Sequence, residues 1–367
     1  MLIPPPKSGQ LLYLDYFRGI AIIFIIAGHV LMPFYRGFSP YFREILGAVL
    51  VGGTILFVFI AGFLFQYLSD RFRYFDYMKK KVLNVVFPYL IATFLILSAQ
   101  FLMGSKSGMS IAEIIKAYPE AILFGSAAPP LWFIPMIVFF YIISPFFVWF
   151  DRHNCYKYLI FLLCLSFFFS RGAFNGIGQN TIHFFPIYIL GMYCSRYRNE
   201  MNKLFGDNVL FLLFIIFILY LFAELNTFRF FDHMGFSIHS SIKFDPDILK
   251  PVVFLTTAKI VSCFWWVQFF RYLEQKIQNT IFGSILRILA QYSFGLFFYH
   301  NSVIALVQKV AAKSGWGIYS NPSGAILFLL FLAEVIIVLF LTMLFLWLMR
   351  LGLKTLKIKR SRPFIGV

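Results

Sequence analysis

Ten apolar segments follow one another along the chain with short polar connections between them, at about 11–34, 45–68, 82–103, 131–150, 156–171, 181–196, 208–224, 250–270, 284–306 and 324–350. Crossing the hydrocarbon core of a bilayer takes roughly 20 apolar residues as a helix, because backbone N–H and C=O groups find no water there and must bond within the segment. In 367 residues, these runs leave no room for a sizeable soluble domain. Composition agrees, with 60% of residues hydrophobic and 13% charged, the latter about half the share found in soluble domains. Pro88, Pro135, Pro145 and Pro186 fall inside the runs, where neighbouring helices can satisfy the backbone groups that proline frees. The expected fold class is all-α, a polytopic transmembrane helical bundle of about ten spans. It divides into an N-terminal tail (1–10), a transmembrane domain (11–350) and a basic C-terminal tail (351–367).

The formal charge of +17 sits mostly as punctuation between apolar runs, the pattern of cytoplasmic loops rather than of a nucleic-acid-binding face. About two thirds of the Lys and Arg residues fall on one side when alternate connections are grouped, including the stretch "DRFRYFDYMKKK" and the C-terminal "RLGLKTLKIKRSRP". Both termini are therefore expected in the cytoplasm. The connections at 104–130 and 225–249 become the longest outer loops, and "MSIAEIIKAYPEAILFG" has the apolar spacing of a helix lying along the interface. The N-terminus lacks the basic region of a cleavable signal, so the first run reads as a retained span. Cys155, Cys164, Cys194 and Cys263 are scattered without a CxxC pair, which argues against a zinc site or a disulfide framework. No phosphate-binding Gly motif, HExxH pair or GxSxG elbow occurs, and no metal site is expected.

Ionisable side chains inside apolar spans are costly, and each is a functional candidate by default. Asp15, Arg18 and His29 lie in the first run, Lys259 in the eighth, His300 in the ninth and Glu334 in the tenth. Arg18 and His29 are eleven positions apart, which on an α-helix leaves them about 20° apart in azimuth and about 16 Å apart along the axis. That length is comparable with an extended pantetheine arm. A cation at the cytoplasmic mouth can hold phosphates, and an imidazole deeper in can exchange protons near neutral pH. The alternative is structural: Arg18 snorkels beside Asp15, and His29 bonds a neighbouring helix. Lys259 and Glu334 are candidates to pair with each other. His183 lies near an outer span end, and His233 and His239 lie in the long outer loop.

"YLDYFRGIAIIFIIAGHV" resembles the opening signature of the membrane-bound acyltransferase-3 family, an Arg followed eleven residues later by a His. "GGTILFVFIAGFLF" resembles a second element at Phe57, Phe59, Gly62 and Phe63, with Ala61 where the family has Ser. "PLWFIPMIVFFYIISPFF" resembles a third at Leu131, Trp132 and Phe133, with Tyr141 and Pro145 also in place. "FFPIYILGMY" and "YSFGLFFYHNSV", the latter ending near His300, resemble two later segments in the same order.

The resemblance implies an integral-membrane O-acyltransferase that moves an acyl group, most commonly acetyl, from cytoplasmic acyl-CoA to a hydroxyl of a cell-envelope or secreted polysaccharide or lipid-linked glycan of the O-antigen kind. It implies His29 as catalytic base and Arg18 as its partner in donor binding. His29 either deprotonates the acceptor hydroxyl or transiently accepts the acyl group. Where the family carries two arginines three residues apart, this chain has Lys81 and Asn84, with Pro88 and Tyr89 retained. Lys79, Lys80 and Lys81 keep positive charge there as donor-binding candidates, without the bidentate geometry of guanidinium; the same cluster also reads as a topogenic signal. Asp15, Trp132, Tyr141 and His300 are supporting or acceptor-side candidates, the aromatics because sugars stack on such faces. The expected partners are acyl-CoA as co-substrate, with no bound cofactor, a glycan acceptor, the bilayer and, if transfer is completed outside, a separate extracytoplasmic transferase. The expected location is a bacterial plasma membrane. The competing class is a transporter or flippase for a glycan or lipid intermediate, with Arg18, Lys259 and Glu334 as its charged pathway.

Overall fold

The computed structural model describes residues 10–50, 52–102, 111–168, 177–205, 208–225, 246–313, 324–358 and 360–367. Among these the chain is helical, without a strand: α1 Leu12–Phe34, α2 Pro40–Leu50, α3 Thr54–Tyr67, α4 Tyr74–Lys81, α5 Phe87–Leu102, α6 Ile111–Phe124, α7 Phe133–Ile142, α8 Ser144–Arg152, α9 Leu159–Phe168, α10 Ile177–Arg196, α11 Arg198–Phe205, α12 Val209–Leu225, α13 Pro246–Ile277, α14 Ile281–Lys313, α15 Gly324–Thr355 and α16 Arg362–Ile365.

Among the described residues every apolar run falls on a helix or a pair of helices, but fewer of these qualify as full spans than the sequence suggests. Four stretches are long and apolar enough to cross a bilayer, Leu12–Phe34, Tyr74–Leu102, Ile281–Lys313 and Gly324–Thr355, and six if two bent pairs each count as one. The difference has local causes. The fourth run is split around Ser144 and Pro145 into α7 and α8, which meet at 55°, since proline removes a backbone donor and clashes with the preceding turn. The second run breaks at Gly52, whose φ is +84°, leaving the 14 residues of α3, about 21 Å and short of a hydrocarbon core. α10, which carries the sixth run, includes Gln179, Asn180 and His183 in its first two turns, and these polar residues dilute its apolar character.

The chain divides into two compact units. The first comprises residues 1–28, 40–72 and 145–291, and the second residues 29–39, 73–144 and 292–367. α1 and α14 contribute to both.

In the first unit α3 and α10 pack backbone against backbone. A Cβ at Gly62 would collide with the Tyr188 carbonyl, and one at Gly191 with the Phe59 carbonyl, the close approach that small residues permit between helices in lipid. Around this seam lie buried aromatics, with Phe147 stacked on Tyr188 at 4.6 Å. Trp266 stacks on Phe270 at 5.5 Å and on Phe17 of α1 at 6.4 Å.

In the second unit Pro88 shapes the path of the chain. Lacking an N–H, it cannot close the ordinary α-helical bond, and the preceding residues Val82–Val86 form a π-turn between α4 and α5. Tyr89 then points its hydroxyl at the Ala121 and Ile122 carbonyl oxygens, at 3.0 and 2.8 Å, and so satisfies part of the C-terminal end of α6. Tyr118 of α6 stacks on Phe94 at 5.7 Å, so this amphipathic helix is packed onto α5. Within the stretch expected as a basic tail, Ile365 is buried and Phe364 meets Phe87 edge-on at 5.7 Å.

Candidate active site

The second unit brings two histidines together. His29 is on the last third of α1 and half-buried, while His300 is on α14 and fully buried. Their ring centroids are 5.0 Å apart at 67°, and His300 Nε2 lies 3.5 Å from His29 Nδ1, the outer limit of a hydrogen bond. On its other side, His300 Nδ1 is 2.9 Å from the carbonyl oxygen of Leu296, one turn back on the same helix. A carbonyl only accepts, so the proton is on His300 Nδ1, and in the neutral ring Nε2 is left as an acceptor. His29 must then donate from Nδ1, which makes His29 Nε2 its unprotonated nitrogen. The pair thus converts a backbone carbonyl into a tautomer choice two rings away, the arrangement by which a second residue orients a base. Phe297 lies beside His300 at 6.3 Å.

Arg18 and Asp15 lie in the first unit. Arg18 donates from a terminal guanidinium nitrogen to Asp15 Oδ1 at 2.9 Å, and Gln10 donates to the other carboxylate oxygen. This is the Arg18–Asp15 neighbour pairing that the structural alternative offered. It also places Arg18 in a defined rotamer, with 24% of its side chain accessible. On α1 Arg18 is still eleven positions before His29, and the helix between them is unbroken.

The three lysines separate. Lys79 and Lys80 are exposed at the end of α4. Lys81 is turned inward, with its ammonium 4.3 Å from the centre of the Tyr141 ring and 5.1 Å from that of Tyr77. Tyr141 is therefore grouped with Lys81 and not with Trp132. Trp132 is buried at the N-terminal end of α7, and Tyr141 lies at the opposite end, about 13 Å along the axis.

Lys259 and Glu334, suggested as a pair, fall in different compact units, and each has a hydrogen-bonding partner in its own. Lys259 donates to the Val49 carbonyl at 2.8 Å, capping the C-terminal end of α2, where a cation suits the helix dipole. Glu334 accepts from Gln308 at 3.1 Å. His183 is buried at its place in α10, where its carbonyl accepts from Ser166 at 2.8 Å; His233 and His239 lie outside the described residues. Among the described residues no group of three His, Cys, Asp or Glu side chains converges on a possible metal site. The sequence reading missed the Leu296 carbonyl as an orienting group, and Gln308 and Arg362 as neighbours of singled-out residues. The spacing of Leu296 and His300, one helical turn, was the available signal for the first.

The family model for an acyltransferase domain of the acyltransferase-3 type matches residues 11–351. No curated protein and no solved structure matches the chain.

Proposed function

The chain belongs to the acyltransferase-3 family, and on that premise we propose that this membrane acyltransferase carries an acetyl or related acyl group from acyl-CoA to a glycan hydroxyl, with His29 as the base. The observation that carries this reading is the hydrogen-bonded line from the Leu296 carbonyl through His300 to His29. It leaves a basic nitrogen on a half-buried ring while the supporting ring is sealed from solvent.

In the reaction, His29 Nε2 takes the proton of the acceptor hydroxyl as the oxygen forms a bond to the thioester carbonyl carbon. Collapse breaks the C–S bond, and the proton passes to the departing thiolate, giving the ester and free CoA thiol. His300 holds the imidazolium that forms in between by accepting from His29 Nδ1. Arg18, on the same face of α1 about three turns towards the expected cytoplasmic end, is assigned to the donor's phosphates, with Asp15 holding the guanidinium in place. Transfer by way of an acyl-His29 intermediate uses the same nitrogen.

The cytoplasmic placement of both termini, the donor side inside and the acceptor side outside, rests on the distribution of Lys and Arg. The glycan acceptor rests on the family resemblance and on buried aromatics such as Trp132.

The test is to compare envelope glycans from cells carrying the wild-type chain and His29→Ala. Loss of O-acetyl signals in the NMR spectrum, with glycan export intact and the variant present in the membrane, is expected. Full O-acetylation in the variant would contradict the assignment.

A further inference from the structure

In the first unit a cleft enclosing about 270 Å³ opens between α3, the α10–α11 corner and α13. Each element turns one face to it. Phe59 and Phe63 are one turn apart on α3, while Phe264, Gln268 and Arg271 follow one another on α13 at steps of four and three. Along α13 that face passes from an aromatic ring through an amide to a guanidinium within about 10 Å. At the apolar end Phe264 meets Phe59 edge-on at 6.4 Å. At the other end Arg271 donates to the backbone carbonyl of Arg198 at 3.3 Å, so two arginines share the mouth.

Neither arginine is neutralised there. Arg271 lies over the Tyr13 ring at 5.5 Å and Arg198 over that of Tyr67 at 5.4 Å, contacts that aim a guanidinium and leave its charge in place. Among the described residues neither forms a salt bridge with a carboxylate; Glu274, one turn on from Arg271, is in its field without pairing with it. Two planar guanidinium groups over one opening suit a phosphate, which accepts paired donors from each.

Gln268, one turn further in, points to a ligand independently. It is 4% exposed, and its Oε1 has no hydrogen-bond partner among the described residues. A buried amide oxygen without a donor is costly, and in a cleft the donor can come from an occupant. The three levels therefore call for an anion at the mouth, a hydroxyl or N–H about 4.5 Å further in, and hydrocarbon beyond. A diacyl phospholipid has ester oxygens at the middle level, and these only accept. A glycerophosphate with one acyl chain has a free hydroxyl there. One chain also suits an opening below the roughly 300–1,000 Å³ of sites that enclose a whole drug-sized ligand.

We propose that this cleft binds a monoacyl glycerophosphate lipid. Arg198 and Arg271 hold its phosphate, its glycerol hydroxyl donates to Gln268 Oε1, and its chain runs onto Phe63 and Phe264. None of these residues is assigned to the acyl donor or to the chemistry at His29, and the site does not depend on either assignment.

The test measures saturable binding of radiolabelled oleoyl glycerol phosphate, and of its deoxy analogue lacking the free hydroxyl, to the full chain in phosphatidylcholine nanodiscs, with empty nanodiscs as background. The wild-type chain is expected to bind the parent lipid about tenfold more tightly than the analogue, the effect of one buried hydrogen bond. Gln268→Leu should weaken the parent by that factor and leave the analogue unchanged. Arg271→Gln should weaken both about tenfold to a hundredfold, and rising salt should weaken wild-type binding. Because Gln268→Leu removes an unpaired buried amide, its melting temperature without lipid should be no lower than that of the wild type, which keeps the comparison between folded proteins. Equal affinity of the wild type for parent and analogue, wild-type affinity in both variants, or no saturable binding above the empty nanodiscs would each overturn the proposal. So would displacement of the lipid by coenzyme A at equal concentration. His29→Ala should bind the lipid as the wild type does, so loss of acyl transfer and loss of this site are separate results.

Discussion

His300 Nε2 lies 3.5 Å from His29 Nδ1, and His300 Nδ1 lies 2.9 Å from the Leu296 carbonyl oxygen. One buried ring thereby sets which nitrogen of the other carries the proton. His300 acts through His29 and is a positioning residue. Its replacement should lower kcat and leave the donor KM near the wild-type value. His300→Ala is expected to lower kcat by about tenfold to a hundredfold, the usual cost of removing a partner that orients a functional imidazole. His300→Asn, whose side-chain oxygen can accept from His29, should recover part of that loss. Steady-state kinetics on folded protein checks this, and equal kcat for the Ala and Asn variants would count against an orienting role.

Arg18 is held by Asp15 at 2.9 Å. If the guanidinium serves donor binding, Arg18→Gln should raise the donor KM about tenfold, in line with loss of a charge-assisted hydrogen bond. Asp15→Asn, which keeps the guanidinium but loosens it, should raise KM by a smaller factor. Initial rates over a range of acyl-CoA concentrations measure both, and an unchanged KM in each removes Arg18 from the donor site.

Lys259 is a structural cation in this fold. Its ammonium is buried and caps the Val49 carbonyl at 2.8 Å. Lys259→Met would strip that carbonyl of its donor and is expected to destabilise the protein by about 1–3 kcal/mol. The turnover of the folded fraction should stay at the wild-type value. Thermal unfolding in detergent, read beside specific activity, separates the two effects. A stable but inactive variant would instead place Lys259 in the chemistry.

The all-helical fold was legible in the sequence because lipid imposes a length and a composition on each helix. The positions of ionisable residues were legible for the same reason, and Asp15–Arg18 followed from a spacing of three on one helix. The span count was less so, since Gly52 and Pro145 break apolar runs that hydropathy reads as continuous. The His29–His300 contact joins residues 271 positions apart, and no periodicity encodes such a meeting. Each histidine was visible alone as a polar group in an apolar run, and the first-span signature marked His29 as the base. The docked tail was hidden for a different reason: "KIKRSRP" reads as a solvated basic end, whereas Phe364 and Ile365 after it anchor the segment.

The most direct measurement is the release of free CoA thiol from acetyl-CoA by purified protein supplied with its glycan acceptor, wild type against His29→Ala. A general base contributes about a hundredfold to ten-thousandfold, so thiol release that depends on acceptor should fall by at least the lower figure in His29→Ala while coenzyme A binding persists. Acceptor-dependent release at the wild-type rate in the folded variant would contradict the assignment of His29 as the base.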